Sequence, residues 1–580
     1  MIRPLAGSAK LDVLAVTLAA CIYLGLTTYQ LTLPGLYYDE AWDAVSTMHI
    51  VQNVPVELER GAHLSLLGRD WPLMLDDYQG TVSTYMLVPF FLLGGINVAS
   101  LRAFPILSGL IALILCYFLA RAWFGRATAR LAVLLFAVST SWVFWSRIGV
   151  YVVAEVVPLT LGALLAFTCW WRSSERPAWL LGLGSLLLGV GLSTKLLYVW
   201  PILAIGVCFV LLRPGSLRHA PLRVHALQLL LALACFGAGA FPFLAYNWQT
   251  HGTYLEIRSR LTGTEYGANN TTVLPNLWEE ADRYRQLLDG GYFWFQGEAA
   301  NPGDQGRVYK DPLAGAAFVL AALGLLAAAI RALPQGRADE LPTLRSALRT
   351  PHSALRNREG RLLLLAAGGM ASGLLVDVAA LALPNAHGGK WQVFGLLAVL
   401  ITIGAGGALV RAGLLKPGAW ALLAGWTLLG MMAVSGATWF LVGQYVALAG
   451  RHIAGPLDLR LSDMAGVLFW FCLFALLLLL GWSAPASRLQ RPLVAALGYL
   501  AAVLAQSFPT LSGLWATHLL VMLPMPQIVV AAAIAGVGQY VAPAGRHITG
   551  IVPPHSALRT PHSALRWWLL RRSPCLGAQG

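Results

Sequence analysis

The sequence predicts an all-α integral membrane protein with about 13–14 transmembrane helices, and three observations predict it. First, 57% of the 580 residues are hydrophobic, 11% are charged, and mean hydropathy is +0.66. Second, apolar runs of bilayer-spanning length recur from end to end, and a helix of about 20 apolar residues crosses a hydrocarbon core. Third, the charges segregate between alternating loops. One set of loops holds 26 Lys/Arg and 5 Asp/Glu, and the other holds 14 Lys/Arg and 20 Asp/Glu. The positive-inside rule places the first set, with the N-terminus, in the cytoplasm. The net charge of +14 follows from that asymmetry and does not indicate nucleic-acid binding.

The spans are read at 11–33, 99–120, 131–146, 150–171, 178–194, 196–212, 225–247, 312–331, 361–383, 391–411, 418–440, 461–482, 493–508 and 515–536. Residues 11–33 follow Arg3 and Lys10 and exceed the length of a signal peptide's apolar region, so they are read as a retained first helix. The apolar stretch 81–96 is short and broken by Pro89 and Gly94-Gly95. A crossing there would put Arg121, Arg126 and Arg130 outside, so it is read as an interfacial or re-entrant helix. Residues 34–98 then form an outer loop with two interfacial helices, starting near Asp39 and near Thr81.

A second outer loop, 248–311, carries 9 Asp/Glu, 6 Lys/Arg and many aromatics, including Tyr254, Trp278, Tyr284 and Trp294, which argues for an ordered part. Asn269 and Asn270 each begin an N-x-[ST] sequon. The domain reading is an N-terminal membrane module, 1–247, then the outer loop, helices over 312–540, and a basic cytoplasmic tail, 541–580. Two short repeats, 346–356 with 556–566 and 443–455 with 538–550, have no repeat-fold period and read as copied segments in tolerant loops. The seven cysteines show no CxxC or metal-ligand spacing, and six lie in apolar spans as small hydrophobes.

Asp39-Glu40 stands out where the first apolar run ends. A carboxylate beside hydrocarbon is costly to keep ionised and marks a functional candidate, although an acidic helix start is the plain alternative. Arg147, Tyr151 and Glu155 are four apart and would share one helix face. Lys195 ends Gly-Leu-Ser-Thr-Lys, His387 and Lys390 lie in Pro-Asn-Ala-His-Gly-Gly-Lys-Trp, and His518 opens the last span. Arg147 and Lys195 read equally as snorkelling anchors, and the histidines as helix-end polar residues. Asp377, inside the ninth span, has no assigned role. All the candidates fall at the outer face. They suit a reaction in which a carboxylate takes a nucleophile's proton while cations offset charge on a departing lipid-linked phosphate. No glycine-rich nucleotide loop follows a strand, so the energy comes from a pre-activated substrate or a gradient.

With these residues in view, the chain resembles the polytopic GT-C glycosyltransferases that use polyprenyl-phosphate sugars. These include the protein O-mannosyltransferases and the aminoarabinose transferases acting on lipid A. Asp39-Glu40, Arg147 with Glu155, and Lys195 carry the resemblance. Asp76-Asp77-Tyr78-Gln79-Gly80, Gly94 to Arg102, and Thr517 to Pro524 are similar in placement. One segment, Asp77 to Val82, stands where that family often has His/Lys-Pro-Pro-Leu. The resemblance implies a GT-C-like fold with Asp39 as catalytic base.

The expectation is an inverting transfer of sugar from a polyprenyl-phosphate carrier to an extracytoplasmic acceptor, whether protein, lipid or glycan. Glu40 and Glu155 would orient the acceptor or shape the field. Arg147, Tyr151, Lys195, His387, Lys390 and His518 would bind substrate. No cofactor is certain, and the site leaves room for a divalent metal. The alternatives are a transporter or lipid flippase, which inverted symmetry between halves would favour and which none supports, and a non-catalytic scaffold, which leaves the charges unexplained.

Overall fold

The computed structural model describes residues 5–33, 35–36, 38–148, 155–173, 175–212, 222–261, 280, 283–284, 287–288, 312–333, 358–381, 388–415, 417–449, 456–482, 489–507 and 516–541. The chain is helical, as its sequence predicts. Helix α1 (Leu5–Thr28) leads to α2 (Tyr38–Gln52), two small hairpins, α3 (Val82–Gly94) and α4 (Val98–Phe124). Then follow α5 (Arg126–Ala137), α6 (Thr140–Arg147), α7 (Val157–Arg172), α8 (Ala178–Leu192), α9 (Val199–Leu212), α10 (Leu222–Gly239), α11 (Phe241–Thr250) and α12 (Gly252–Leu261). The second half contributes α13 (Pro312–Arg331), α14 (Arg358–Leu381), α15 (Gly388–Arg411), α16 (Pro417–Ala449), α17 (Pro456–Trp482), α18 (Gln490–Ser507) and α19 (Met525–Val541).

Over the described residues each expected span overlaps one of these helices or a bent pair, and the last, 515–536, divides into a short helical turn (Ala516–Met522) and α19. Among the described residues, five helices are long and apolar enough to cross a membrane, or seven if each bent pair is one span. Others, such as α8 and α9, are shorter apolar helices. Both bent pairs turn at a break of one or two residues. Between α5 and α6 the axis turns 55° at Val138-Ser139. Between α10 and α11 it turns 70° at Ala240, where Pro242 cannot donate to the preceding turn. Helix α11 carries the span to Thr250, so Trp248 is helical rather than the start of a loop.

Both interfacial helices expected in residues 34–98 are present, as α2 and α3, and they pack on each other. The sequence reading did not include the two hairpins between them: β1 (His63–Leu66) with β2 (Arg69–Pro72), and β3 (Met74–Asp76) with β4 (Gln79–Gly80), both antiparallel. Their strands have two to four residues, too short for a hydrophobic alternation to register. Helix α4 begins cleanly because the Asn97 side chain accepts the Ser100 backbone N–H at 2.9 Å.

One contiguous apolar core runs from Ala19 to Ala532 and joins the two halves of the chain. Helix α18 lies on α9, and α19 lies on α5. Within it, α8 and α10 touch backbone to backbone. A Cβ at Gly189 would lie 2.1 Å from the Phe236 carbonyl oxygen, and one at Gly239 would lie 2.4 Å from that of Leu186. Small residues permit such approach in membranes, where apolar contact with lipid competes with helix–helix contact. The approach fixes the end of α8, because Ser193 Oγ donates to the Gly239 carbonyl at 3.0 Å. Lys195 follows two residues later.

Candidate active site

Helix α2 presents its acids in two directions. Asp39 and Asp43 are four residues apart and share one face, while Glu40 turns towards α4. Glu40 is fully buried and held bidentately by Arg102, with Nη2 to Oε1 at 2.6 Å and Nε to Oε2 at 3.1 Å. Arg102 also donates to the Leu31 carbonyl at 2.5 Å and to the Gly35 carbonyl at 3.0 Å. One guanidinium thus ties the end of the first span, the following loop and the first turn of α2 to α4. Glu40 is committed to this clamp.

The second hairpin brings in the cation. Gln79 and Lys195 form an antiparallel bridge, with Gly80 N–H to the Thr194 carbonyl and Leu196 N–H to the Tyr78 carbonyl, each 2.8 Å. Gly80 is required here, since a Cβ would sit 1.7 Å from the Ser193 carbonyl oxygen. The Lys195 ammonium lies 5.5 Å from the centre of the Tyr78 ring, within cation–π range. It is buried and stands in the field of Asp43, Asp39 and Asp76.

Asp43 is buried, and Gln79 donates to its Oδ1 at 2.5 Å while Oδ2 has no hydrogen-bond partner. Burial pushes its carboxyl up to about 7, against the opposing pull of Gln79 and Lys195. Lys195, between α8 and the next helical turn, is pushed down to about 8 by burial, against the carboxylates around it. Glu155, buried just before α7, is in electrostatic contact with Asp43, and its Oε1 has no hydrogen-bond partner. The cluster therefore joins Asp39, Asp43 and Asp76 to Lys195, with Glu155 beside Asp43.

A neighbouring network holds the hairpin. Arg60 clamps Asp77 with hydrogen bonds at 2.5 and 2.6 Å, Tyr246 of α11 donates to the same carboxylate, and Thr253 Oγ1 donates to the Asp77 carbonyl at 2.5 Å. Asp77 is thereby occupied, and Asp76 is the acid of that pair left within the field of Lys195.

The expected site residues are distributed unevenly. Asp39, Glu155 and Lys195 come together. Arg147 is turned away to the backbone of the loop after α1, donating to the carbonyls of Gln30 and of Leu33, the latter at 2.5 Å. Helix α6 stops at Arg147, and the segment 149–154 that would join Arg147 to Glu155 lies outside the described residues. Tyr151 and His387 lie outside the described residues. Lys390 is placed on α15 by its backbone, and Asp377 likewise on α14; nothing is described of either side chain. His518 is half-buried in a helical turn, Ala516–Met522, that packs on α7 and α18. The repeat 346–356 with 556–566 and most of 248–311 lie outside the described residues, whereas the other repeat starts on helix in both copies, 443–449 at the end of α16 and 538–541 at the end of α19.

Sequence reasoning gave no role to Asp43, to Gln79 or to Arg102, the partner of Glu40. Asp43 carried a usable signal, being four residues after Asp39 on an expected helix. Gln79 and Arg102 lie in the two segments, Asp76 to Gly80 and Gly94 to Arg102, that carry the resemblance, but nothing local names their partners. Among the described residues no three His, Cys, Asp or Glu side chains are grouped as a metal site requires.

Residues 79–239, well under half of the chain, match the family model of the dolichyl-phosphate-mannose-protein mannosyltransferases. That segment begins at Gln79 and contains Arg102, Glu155 and Lys195. No curated protein matches the chain. Among solved structures, ArnT from Cupriavidus metallidurans bound to undecaprenyl phosphate is 15% identical with a TM-score of 0.36, over 96% of this chain and 84% of that one. The archaeal oligosaccharyltransferase AglB from Archaeoglobus fulgidus, in complex with an inhibitory peptide and a dolichol-phosphate, is 13% identical with a TM-score of 0.34, over 96% of this chain and 54% of that one. Likenesses this faint carry no weight for function. The family match bears out the resemblance read from the motifs: over residues 79–239 this chain is similar to the dolichyl-phosphate-mannose-protein mannosyltransferases.

Proposed function

We propose that the protein transfers a sugar from a polyprenyl-phosphate carrier to an acceptor at the extracytoplasmic face of the inner membrane, with inversion, its N-terminus being cytoplasmic. The observation that supports this reading best is the buried ammonium of Lys195, where α8 ends, in the field of Asp39, Asp43 and Asp76. A phosphate leaving group needs a cation, and a hydroxyl nucleophile needs a base; this cluster offers both.

In the proposed reaction Asp39 accepts the proton of an acceptor hydroxyl as that oxygen bonds to the anomeric carbon. The bond from that carbon to the phosphate oxygen breaks on the opposite face, and its electron pair leaves with the lipid phosphate. Lys195 offsets the charge gained there, and His387, Lys390 and His518 are proposed to share it. Asp43, held by Gln79, tunes the field between Asp39 and Lys195, and Glu155 orients the acceptor. Glu40 and Arg147 are assigned positioning, because their side chains hold the loop and first turn that carry Asp39.

Asp39→Asn keeps shape and removes basicity. Turnover with a synthetic polyprenyl-phosphate sugar in detergent is expected to fall at least about 100-fold, with folding and lipid binding kept. Near-native turnover would reject the base assignment. Transfer from no such donor by the unaltered protein would reject the function.

A further inference from the structure

A second site lies at the opposite end of the bundle from the carboxylates. Helices α4, α7 and α9 all leave the acidic end, near Arg102, Glu155 and Lys195, and finish at Phe124, Arg172 and Leu212. At those far ends, closed on one side by the start of α18, is a cavity of about 290 Å³. Its walls are apolar and aromatic. Trp171 stacks on Phe209 at 5.4 Å, Phe167 meets Phe209 edge-on at 5.7 Å, and Cys208 and Ala495 lie deeper. Two exposed arginines, Arg172 and Arg491, belong to the same lining. Arg172 is anchored by a hydrogen bond to the Ala122 carbonyl, and Arg491 has no acidic partner among the described residues. Asp12 is taken by Arg126 and Arg130.

An apolar slot beneath two guanidinium groups is complementary to one kind of molecule, an amphiphile with an anionic phosphate head and a hydrocarbon chain. We infer that this cavity is a binding site for an anionic glycerophospholipid, its chain between Trp171, Phe209 and Ala495 and its phosphate on Arg172 and Arg491. The basic end of the bundle is the end that the positive-inside rule gives to the cytoplasm, so the lipid belongs to the inner leaflet. It is not the sugar donor in its reacting position. Helix α7 alone separates the two ends by 16 residues, roughly 24 Å of helical rise, and a head held by Arg172 cannot reach Lys195.

The test is native mass spectrometry of the full chain, delipidated in detergent and titrated with phosphatidylglycerol, phosphatidylcholine or a synthetic polyprenyl phosphate. One phosphatidylglycerol per chain is expected to bind at least about tenfold tighter than phosphatidylcholine, since charge-assisted hydrogen bonds to the head distinguish them. The double variant Arg172→Gln/Arg491→Gln should lose that preference, and Arg172→Lys/Arg491→Lys should keep most of it. Ala495→Phe, which fills the slot and leaves both charges, should lose the lipid; this variant decides the matter if the double Gln variant does not fold. Asp39→Asn, altered at the other end, should bind as the unaltered protein does. The inference is overturned if Ala495→Phe and the double Gln variant bind phosphatidylglycerol normally, or if phosphatidylcholine binds equally well. It is also overturned if inorganic phosphate alone displaces the lipid, or if polyprenyl phosphate outcompetes phosphatidylglycerol at the same residues.

Discussion

Glu40→Gln tests how the site is held together. The Glu40 carboxylate and the Arg102 guanidinium are both fully buried, so no water can replace a lost partner. The substitution removes one negative charge and turns one of two accepting oxygens into a donor that faces the guanidinium. Breaking a buried pair from one side strands the other charge and costs about 3–5 kcal/mol. Arg102 retains the Leu31 and Gly35 carbonyls, which places the expected loss towards the lower end, about 3 kcal/mol. The assay is denaturant or thermal unfolding in detergent, followed by tryptophan fluorescence, with Arg102→Met and the double variant Glu40→Leu/Arg102→Met alongside. The double variant should be less destabilised than the sum of its parts, because neither charge is left alone. Below its lowered transition, Glu40→Gln should lose less turnover than Asp39→Asn. A Glu40→Gln protein within about 1 kcal/mol of the unaltered one, yet as inactive as Asp39→Asn, would refute the clamp and restore Glu40 to the chemistry.

Three further outcomes are expected. Turnover should be highest between about pH 7 and pH 8: below it Asp43 is protonated and its field on Lys195 is lost, and above it Lys195 gives up its proton and the phosphate loses its cation. Asp43→Asn should remove the acid-side fall and leave the alkaline one, which a pH–rate profile measures. Lys195→Ala should weaken use of the lipid donor more than of the acceptor, by roughly 10- to 150-fold, and unchanged donor kinetics would remove Lys195 from the phosphate. For topology, cysteines placed at Gly267 and Ala338 in a background without the native ones should react with an impermeant thiol reagent from outside and only after permeabilisation, respectively; the reverse pattern would invert the membrane orientation.

The helical membrane fold was legible in the sequence because its signals are local. An apolar run of fixed length has one stable form in hydrocarbon, since every backbone polar group must be satisfied within its own segment. For the same reason the two helices of residues 34–98, the stop at Gly94-Gly95 and the acidic helix start at Asp39-Glu40 could be read directly, although α3 runs through Pro89 without a break. The site itself was decided by contacts between distant segments. Glu40 and Arg102 are separated by 62 residues and Asp43 and Gln79 by 36, and no local pattern names those partners. Charge type shows that a buried acid needs a partner but not which one it finds. Glu40 was therefore read as chemical when its geometry is that of a clamp, and Arg147 as a phosphate ligand when it holds backbone carbonyls. Asp43 was passed over, although its spacing from Asp39 put both on one helical face. Lys195 was legible as a lone cation at a span end. Only the close contact of α8 with α10, and the bridge to Gln79 that Gly80 permits, carried it to the carboxylates.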